Sequence, residues 1–195
     1  MKVTRDQAVQ NRQHVVNIAA RLFREKGLDG ISVAKLMEAA GLTHGAFYGQ
    51  FSSKKELMVE ALTMALDEKD REWRQLRDRT PKNALGAIVS GYLARDHLDH
   101  PGHGCIATAL SIDAARQDGP VRTIMTEGVN RFVSLISGLL PGKTAEARRR
   151  QSLAAYATLV GAVVLSRAVA DGLLSNEIIE AAKVQLAELG ENRPA

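Results

Sequence analysis

The stretch ISVAKLMEAAGLTHGAFYGQFSSKKEL, from Ile31 to Leu57, holds two short helical patterns that meet at Ala40-Gly41-Leu42. Ser32 is placed to cap the first, Val33 to Ala40, whose apolar positions are Val33, Leu36 and Met37. Gly41 ends it, and Thr43 is placed to cap the second, which runs to about Tyr48. A turn of three or four residues containing glycine between two helices is a helix-turn-helix unit. Such a unit works by laying its second helix in the DNA major groove, about 12 Å wide. That helix must be short, apolar behind and small or polar in front. Thr43-His44-Gly45-Ala46-Phe47-Tyr48 meets the requirement: Phe47 and Phe51 anchor it, Thr43, His44 and Tyr48 point outward, and Gly45 and Ala46 permit close approach.

Working outward, a preceding helix spans about Gln7 to Lys26, with Val15, Ile18, Ala19, Leu22 and Phe23 at helical spacing. Downstream, Ser53-Lys54-Lys55-Glu56 has the form of a capping box and opens a long helix to about Arg79. Further helices are expected from Pro81 to about Leu98, Ile106 to Arg116, and Val121 to Leu139. The last two span Thr144 to Ala170 and a final segment capped by Ser175. The expected fold is all-α with about nine helices. Its parts are a helix-turn-helix head (1–52), a larger helical body (53–190) and a flexible tail (191–195).

Composition narrows the function classes. The 195 residues carry 26 Lys and Arg against 22 Asp and Glu, with 45% hydrophobic and 25% charged residues, a folded soluble balance. One cysteine excludes an intrachain disulfide and a Cys-rich zinc module. Only 4% of residues are aromatic, too few for a single-strand binder built on stacking. The N-terminus lacks an apolar signal region, and the uncharged stretch from Gln151 that ends at Arg167 is shorter than the about 20 residues of a membrane span. A cytoplasmic protein without membrane association is expected.

The sequence resembles the TetR family of bacterial transcriptional regulators. The likeness runs through Ala19-Ala20-Arg21-Leu22-Phe23-Arg24-Glu25-Lys26-Gly27, Ser32-Val33, Ala39-Ala40-Gly41-Leu42, Gly45, Phe47-Tyr48, Phe51 and Ser53-Lys54-Lys55-Glu56-Leu57. The resemblance implies a repressor that leaves its operator when a small-molecule inducer binds or a thiol is modified. It assigns Thr43 and His44 to bases or phosphates, and Tyr48, Lys54 and Ser32 to phosphates, with Gly45 at the point of closest approach. The implied partners are double-stranded DNA with a palindromic operator and a second copy of the chain. No cofactor, no metal and no enzymatic activity are expected. Gly49 and Gln50 depart from the family's usual residues, which removes one phosphate contact and leaves Gln50 to read or to solvate.

For the dimer interface the small and apolar positions Ala154, Ala157, Gly161, Val164, Ile178 and Leu186 are the candidates. Candidate walls of the inducer pocket are Met64, Trp73, Tyr92, Ile112, Met125 and Phe132, a stripe that equally suits plain core. Cys105 stands at the start of a helix, where the dipole favours a thiolate, and is the candidate redox sensor; a buried structural thiol is the alternative. Pro101 and Gly104 break the spacing by which His97, His100, His103 and Cys105 would share a metal. A helical enzyme using Cys105 and a histidine lacks a third, orienting group.

Overall fold

The computed structural model describes residues 5–191, and every regular element among them is helical. Ten α-helices follow one another: α1 (Arg5–Lys26), α2 (Val33–Ala39), α3 (Gly45–Tyr48), α4 (Lys54–Arg79), α5 (Ala84–Tyr92), α6 (Arg95–Asp99), α7 (Ile106–Ala115), α8 (Pro120–Ser137), α9 (Ala145–Ala168) and α10 (Gly172–Glu191). Pro81–Asn83 and Pro101–His103 form single 3-10 turns. The tail expected over 191–195 lies, beyond Glu191, outside the described residues. No helix among the described residues is long and apolar enough to cross a membrane.

The chain divides into two compact units. One contains residues up to Asp67 together with Pro101–Met125; the other contains Glu68–His100 and the residues from Thr126 onward. Two boundaries therefore fall inside α4 and α8, whereas the sequence suggested a division at 52/53.

The first unit is built around α1. Its stripe Val15, Ala19 and Phe23 is buried against Leu36 and Met37 of α2, Phe47, Phe51, and Leu57, Ala61 and Leu62 of α4. Helix α7 joins the same core through Leu110 and Ala114. Polar contacts fix it there: Asp113 Oδ1 accepts from the Leu28 amide at 3.1 Å, and Arg24 Nη1 donates to the Gly104 carbonyl at 3.1 Å.

A brace centred on Arg12 ties α1 to the end of α3 and the start of α4. The guanidinium lies 4.2 Å from the centre of the Phe51 ring, a cation–π contact. It donates to the Gln50 carbonyl, to Glu56 at 2.9 Å and to Glu60 at 2.6 Å. Glu56 also accepts from the Ser52 amide at 2.7 Å and the Ser52 hydroxyl at 2.6 Å. The Ser52 hydroxyl first, and Arg12 second, hold the Glu56 carboxyl down at about 2. Hydrogen bonding to Glu60 raises Arg12 in turn.

The second unit holds an aromatic cluster and a helical hairpin. Trp73 stacks on Tyr92 (5.6 Å, 22°), Phe132 stacks on Tyr156 (4.4 Å, 29°), and Tyr92 meets Phe132 at 5.5 Å. The helix expected from Pro81 to Leu98 is divided at Leu93–Ala94. The Tyr92 carbonyl, which a continuous helix would offer to the amide four residues on, instead accepts from His97 Nδ1 at 2.6 Å. Ala94 is accordingly extended, with φ −69° and ψ 148°. Thr144, the expected start of the helix, caps α9 by accepting from the Ala147 amide at 3.1 Å. Ser175 does not cap α10. Asp171 does, accepting from the Leu173 and Leu174 amides at 2.8 and 3.3 Å, while Ser175 is buried within the helix and hydrogen-bonds Ser166 of α9.

A carboxylate whose folded value is depressed contributes stability above its unfolded value and loses it as pH falls through the folded one. Glu56 therefore stabilises the fold above about 4.5 and ceases to do so near 2. Glu56→Gln should flatten the fall in thermal midpoint across that interval, measured by far-ultraviolet circular dichroism. Parallel curves for the two proteins would show that the brace contributes nothing.

Candidate nucleic-acid interface

The turn between α2 and α3 is set by local chemistry. Ser32, extended at φ −82° and ψ 157°, accepts from the Lys35 amide at 3.3 Å and starts α2. At the other end the Leu42 amide donates to the Met37 carbonyl (2.9 Å) and the Gly41 amide to Glu38 (2.9 Å). That pair of bonds is a Schellman motif, which requires a left-handed residue at the first position past the helix. Gly41 supplies it with φ +67°, and no atom stands within 4 Å of where its Cβ would be. Conformation, not space, therefore demands glycine here.

Helix α3 is a single turn. It opens with the Ala46 amide on the Thr43 carbonyl (3.0 Å) and the Phe47 amide on His44 (3.2 Å). The expected side-chain cap from Thr43 is not made: His44 occupies the cap position, in helical conformation and without a side-chain cap bond. Phe47 and Phe51 are both buried and their rings stack at 5.4 Å. On the opposite side Thr43, His44, Gly45 and Tyr48 are all exposed. Tyr48 is 67% exposed, held edge-on by Phe47 at 5.3 Å and by His44 at 5.6 Å. Nothing stands within 4 Å of a Cβ built on Gly45, so bare backbone faces outward there.

The C-terminal border of this face is positive or neutral. From Thr43 to Lys55 the sequence contains no acidic residue. Lys55 is exposed, and Lys54, half-buried at the start of α4, has its ammonium 6.0 Å from the Phe23 ring. The nearest following carboxylate, Glu56, is held by Arg12 and Ser52. The capping box has shifted by one residue: Ser53 Oγ accepts from the Glu56 amide at 3.1 Å, while Glu56 reaches back to Ser52 instead of Ser53. Gln50 is half-buried. Its amide folds back on the Ala46 carbonyl at 3.4 Å, its Oε1 is buried, and its carbonyl serves the Arg12 brace. Sequence reasoning passed over Arg12; the available signal was an arginine on the inner side of α1 facing a glutamate pair, Glu56 and Glu60, one turn apart.

The other candidates separate. Trp73, Tyr92 and Phe132 meet in the aromatic cluster. Met64 and Met125 instead pack on the core of the first unit. Ile112 is 64% exposed, on the outer face of α7, opposite buried Leu110 and Ala114. On α9, Ala154 and Ala157 are exposed, with Gly161 and Val164 half-exposed; on α10, Ile178 is half-exposed. Leu186 is only 3% exposed, covered by its own chain, and is corrected from an interface residue to a core one. Cys105 is buried at the cap position of α7, with its carbonyl accepting from Thr108 Oγ1 at 2.8 Å. His97 is buried against Tyr92 and burial pushes it down to about 4, while His100 is exposed and pairs with Asp96. Among the described residues no group of three His, Cys, Asp or Glu side chains could hold a metal.

Comparison with known proteins places this geometry. Residues 15–61 match the family described as bacterial regulatory proteins, tetR family. The HTH-type transcriptional regulator AcrR of Shigella flexneri is 39% identical over 89 residues, 44% of this chain and 41% of that protein. The HTH-type transcriptional regulator SAR2658 of Staphylococcus aureus is 31% identical over 97 residues, 49% of this chain and 52% of that one. The matched region thus spans about half the length of these curated relatives or less. In fold the likeness extends much further. A TetR family regulator from Cytophaga hutchinsonii superposes with a TM-score of 0.78 over 97% of this chain and 98% of its own, at 21% identity. The reduced form of Escherichia coli NemR does so at 0.77 over 92% and 96%, at 20% identity. Residues 15–61 thus match the tetR family of bacterial regulatory proteins, and the chain as a whole shares the fold of TetR family regulators.

Proposed function

We propose that the chain is a homodimeric, sequence-specific DNA-binding transcriptional regulator, a repressor released from a palindromic operator by a small-molecule inducer or by modification of Cys105. The observation that carries this reading is the two-sided α3: Phe47 and Phe51 buried behind, and Thr43, His44, Gly45 and Tyr48 exposed in front. A helix of this size fits the major groove, and its exposed groups are donors and acceptors for base edges and phosphates. Tyr48, Lys54 and Ser32 take phosphates; Thr43 and His44 take bases.

Pairing follows from α9. Its inward face carries Ala155, Leu159, Ala162 and Val163, all buried. Its opposite face carries Leu153, Ala154, Ala157, Gly161, Val164 and Leu165, with Leu153 42% and Leu165 55% exposed. A helix apolar on all sides is covered on all sides in the functional protein. Beyond α9's own backbone, nothing among the described residues lies within 4 Å of a Cβ on Gly161, so packing within the chain does not require the small residue. A second α9–α10 pair seated on this face gives a two-fold dimer, which presents two α3 helices to half-sites about 34–36 Å apart.

Two routes of release are supported by different residues. The aromatic cluster supplies apolar walls and a polar group: Trp73 Nε1 is buried without a hydrogen-bond partner among the described residues. A ligand that prefers one of two conformations shifts the population toward it, and α4 contributes residues to both compact units. The thiol route is supported by the place of Cys105, in the same unit as the head and next to Gly104, whose carbonyl Arg24 of α1 holds. NemR, similar in fold, is known in a form described as reduced.

Tyr48→Phe should weaken binding to all duplexes and leave the salt slope unchanged, because a phenol carries no charge, whereas Lys54→Gln should weaken binding and also reduce the slope of log affinity against log salt by about one. Thr43 or His44 variants should alter sequence preference instead. An unchanged affinity for Tyr48→Phe, or an unchanged slope for Lys54→Gln, measured by fluorescence anisotropy, would sink the assignment. Gly161→Glu should give a folded monomer by analytical ultracentrifugation, with operator affinity lost; a persisting dimer would move the interface elsewhere. A thiol reagent should lower the operator affinity of the wild type and leave Cys105→Ser unaffected; labelling without loss of affinity removes the thiol route.

A further inference from the structure

A cleft of about 880 Å³ lies in the second unit between the Pro81–Asn83 turn, α5, the end of α8 and α10, away from the aromatic cluster. Its lining includes Lys82, Asn83 and Lys183, and the apolar side chains of Val89, Leu139 and Leu186. No aspartate or glutamate is part of that lining. Val89 and Leu186 are buried at 8% and 3% exposure, forming a firm apolar floor, whereas Lys82 is exposed at the edge. The volume falls within the range of small-molecule sites, roughly 300–1,000 Å³.

We infer that this cleft binds an amphipathic monoanion, a carboxylate on an apolar body of roughly ten carbons, with the body on Val89, Leu139 and Leu186 and the carboxylate between Lys82 and Lys183. Two cations without a lining carboxylate select the sign of the head group, and the apolar floor selects the tail. Lys183 already donates to Glu180 at 2.7 Å. That pair is solvent-exposed, and exposed pairs are weak; an ammonium also has three donors, so a second acceptor is accommodated. The proposed dimer face leaves the cleft open. Along α10 at 3.6 residues per turn, Lys183 and Ala187 lie on one flank of the buried Ile179–Ala182–Leu186 stripe, and Leu174 and Ile178 on the other.

The site stands on the cleft alone; any effect of its occupancy on operator affinity rests on the proposed function. Isothermal titration calorimetry on the full chain with decanoate and with decanol, its neutral counterpart, separates head group from tail. Decanoate should bind at least tenfold more tightly than decanol. Lys82→Gln with Lys183→Gln should reduce decanoate to the affinity of decanol without changing decanol binding. Ala187→Phe, which fills the cleft from an exposed position, should abolish both. Equal affinity for the two probes, an unaltered double variant, or no binding of decanoate overturns the proposal. Anisotropy with operator DNA in the presence of decanoate is then a separate readout: binding without a change in DNA affinity leaves the site in place and counts against its role as an effector site.

Discussion

A helix of four residues cannot hold itself together in water, because fixing the first turn costs more than its few hydrogen bonds return. Helix α3 exists because Phe47 and Phe51 are buried behind it, each contributing on the order of 1.5–3 kcal/mol. The outer residues stay outside that core, Tyr48 touching it only edge-on through Phe47. Thr43, His44, Gly45 and Tyr48 are therefore free to be chosen for what they meet outside. The Arg12 brace converges on the same point: its guanidinium covers the Phe51 ring while holding the Gln50 carbonyl and the α4 carboxylates. Apolar burial fixes the depth of α3, and the brace fixes where its end joins α4.

Much of this was legible in sequence because its causes are local. Ser32 and Gly41 with Leu42 act through bonds to residues five positions away or fewer, and the structure contains those bonds. Where the residues failed to disclose the outcome, the deciding partner was distant or competing. Arg12 acts on residues 38 to 48 positions away. The division between α5 and α6 depends on a histidine side chain taking a carbonyl, in a stretch with no proline at the break. Asp171 and Ser175 are both good caps by type; burial against Ser166 drew Ser175 into the helix and left the cap to Asp171.

The six proposed pocket residues illustrate a different limit. Trp73, Tyr92 and Phe132 share a cluster, yet Met64 and Met125 belong to another core and Ile112 to the surface. Helical spacing tells which residues share one helix's face. It carries no information on which other helix that face meets, and α4 and α8 each serve two cores along their length.

The same limit explains Leu186, and it sharpens the reading of α9 and α10. Both helices have more apolar surface than one chain covers, so periodicity alone assigns no apolar residue to self or to partner. The structure divides the circumference. On α10, Ile179, Ala182 and Leu186 turn inward, leaving Leu173, Leu174 and Val184 exposed at 75%, 42% and 61%. On α9 the leftover face sets the small residues Ala154, Ala157 and Gly161 between the exposed Leu153 and Leu165, and open space stands where a Gly161 side chain would go. A surface helix that faced only water would gain solubility from Lys or Glu at such positions, and alanine and glycine there add nothing to its own core. Small side chains bring a benefit only when another backbone comes close, and that makes the outer face of α9, rather than its buried stripe, the side that a second copy of the chain would occupy.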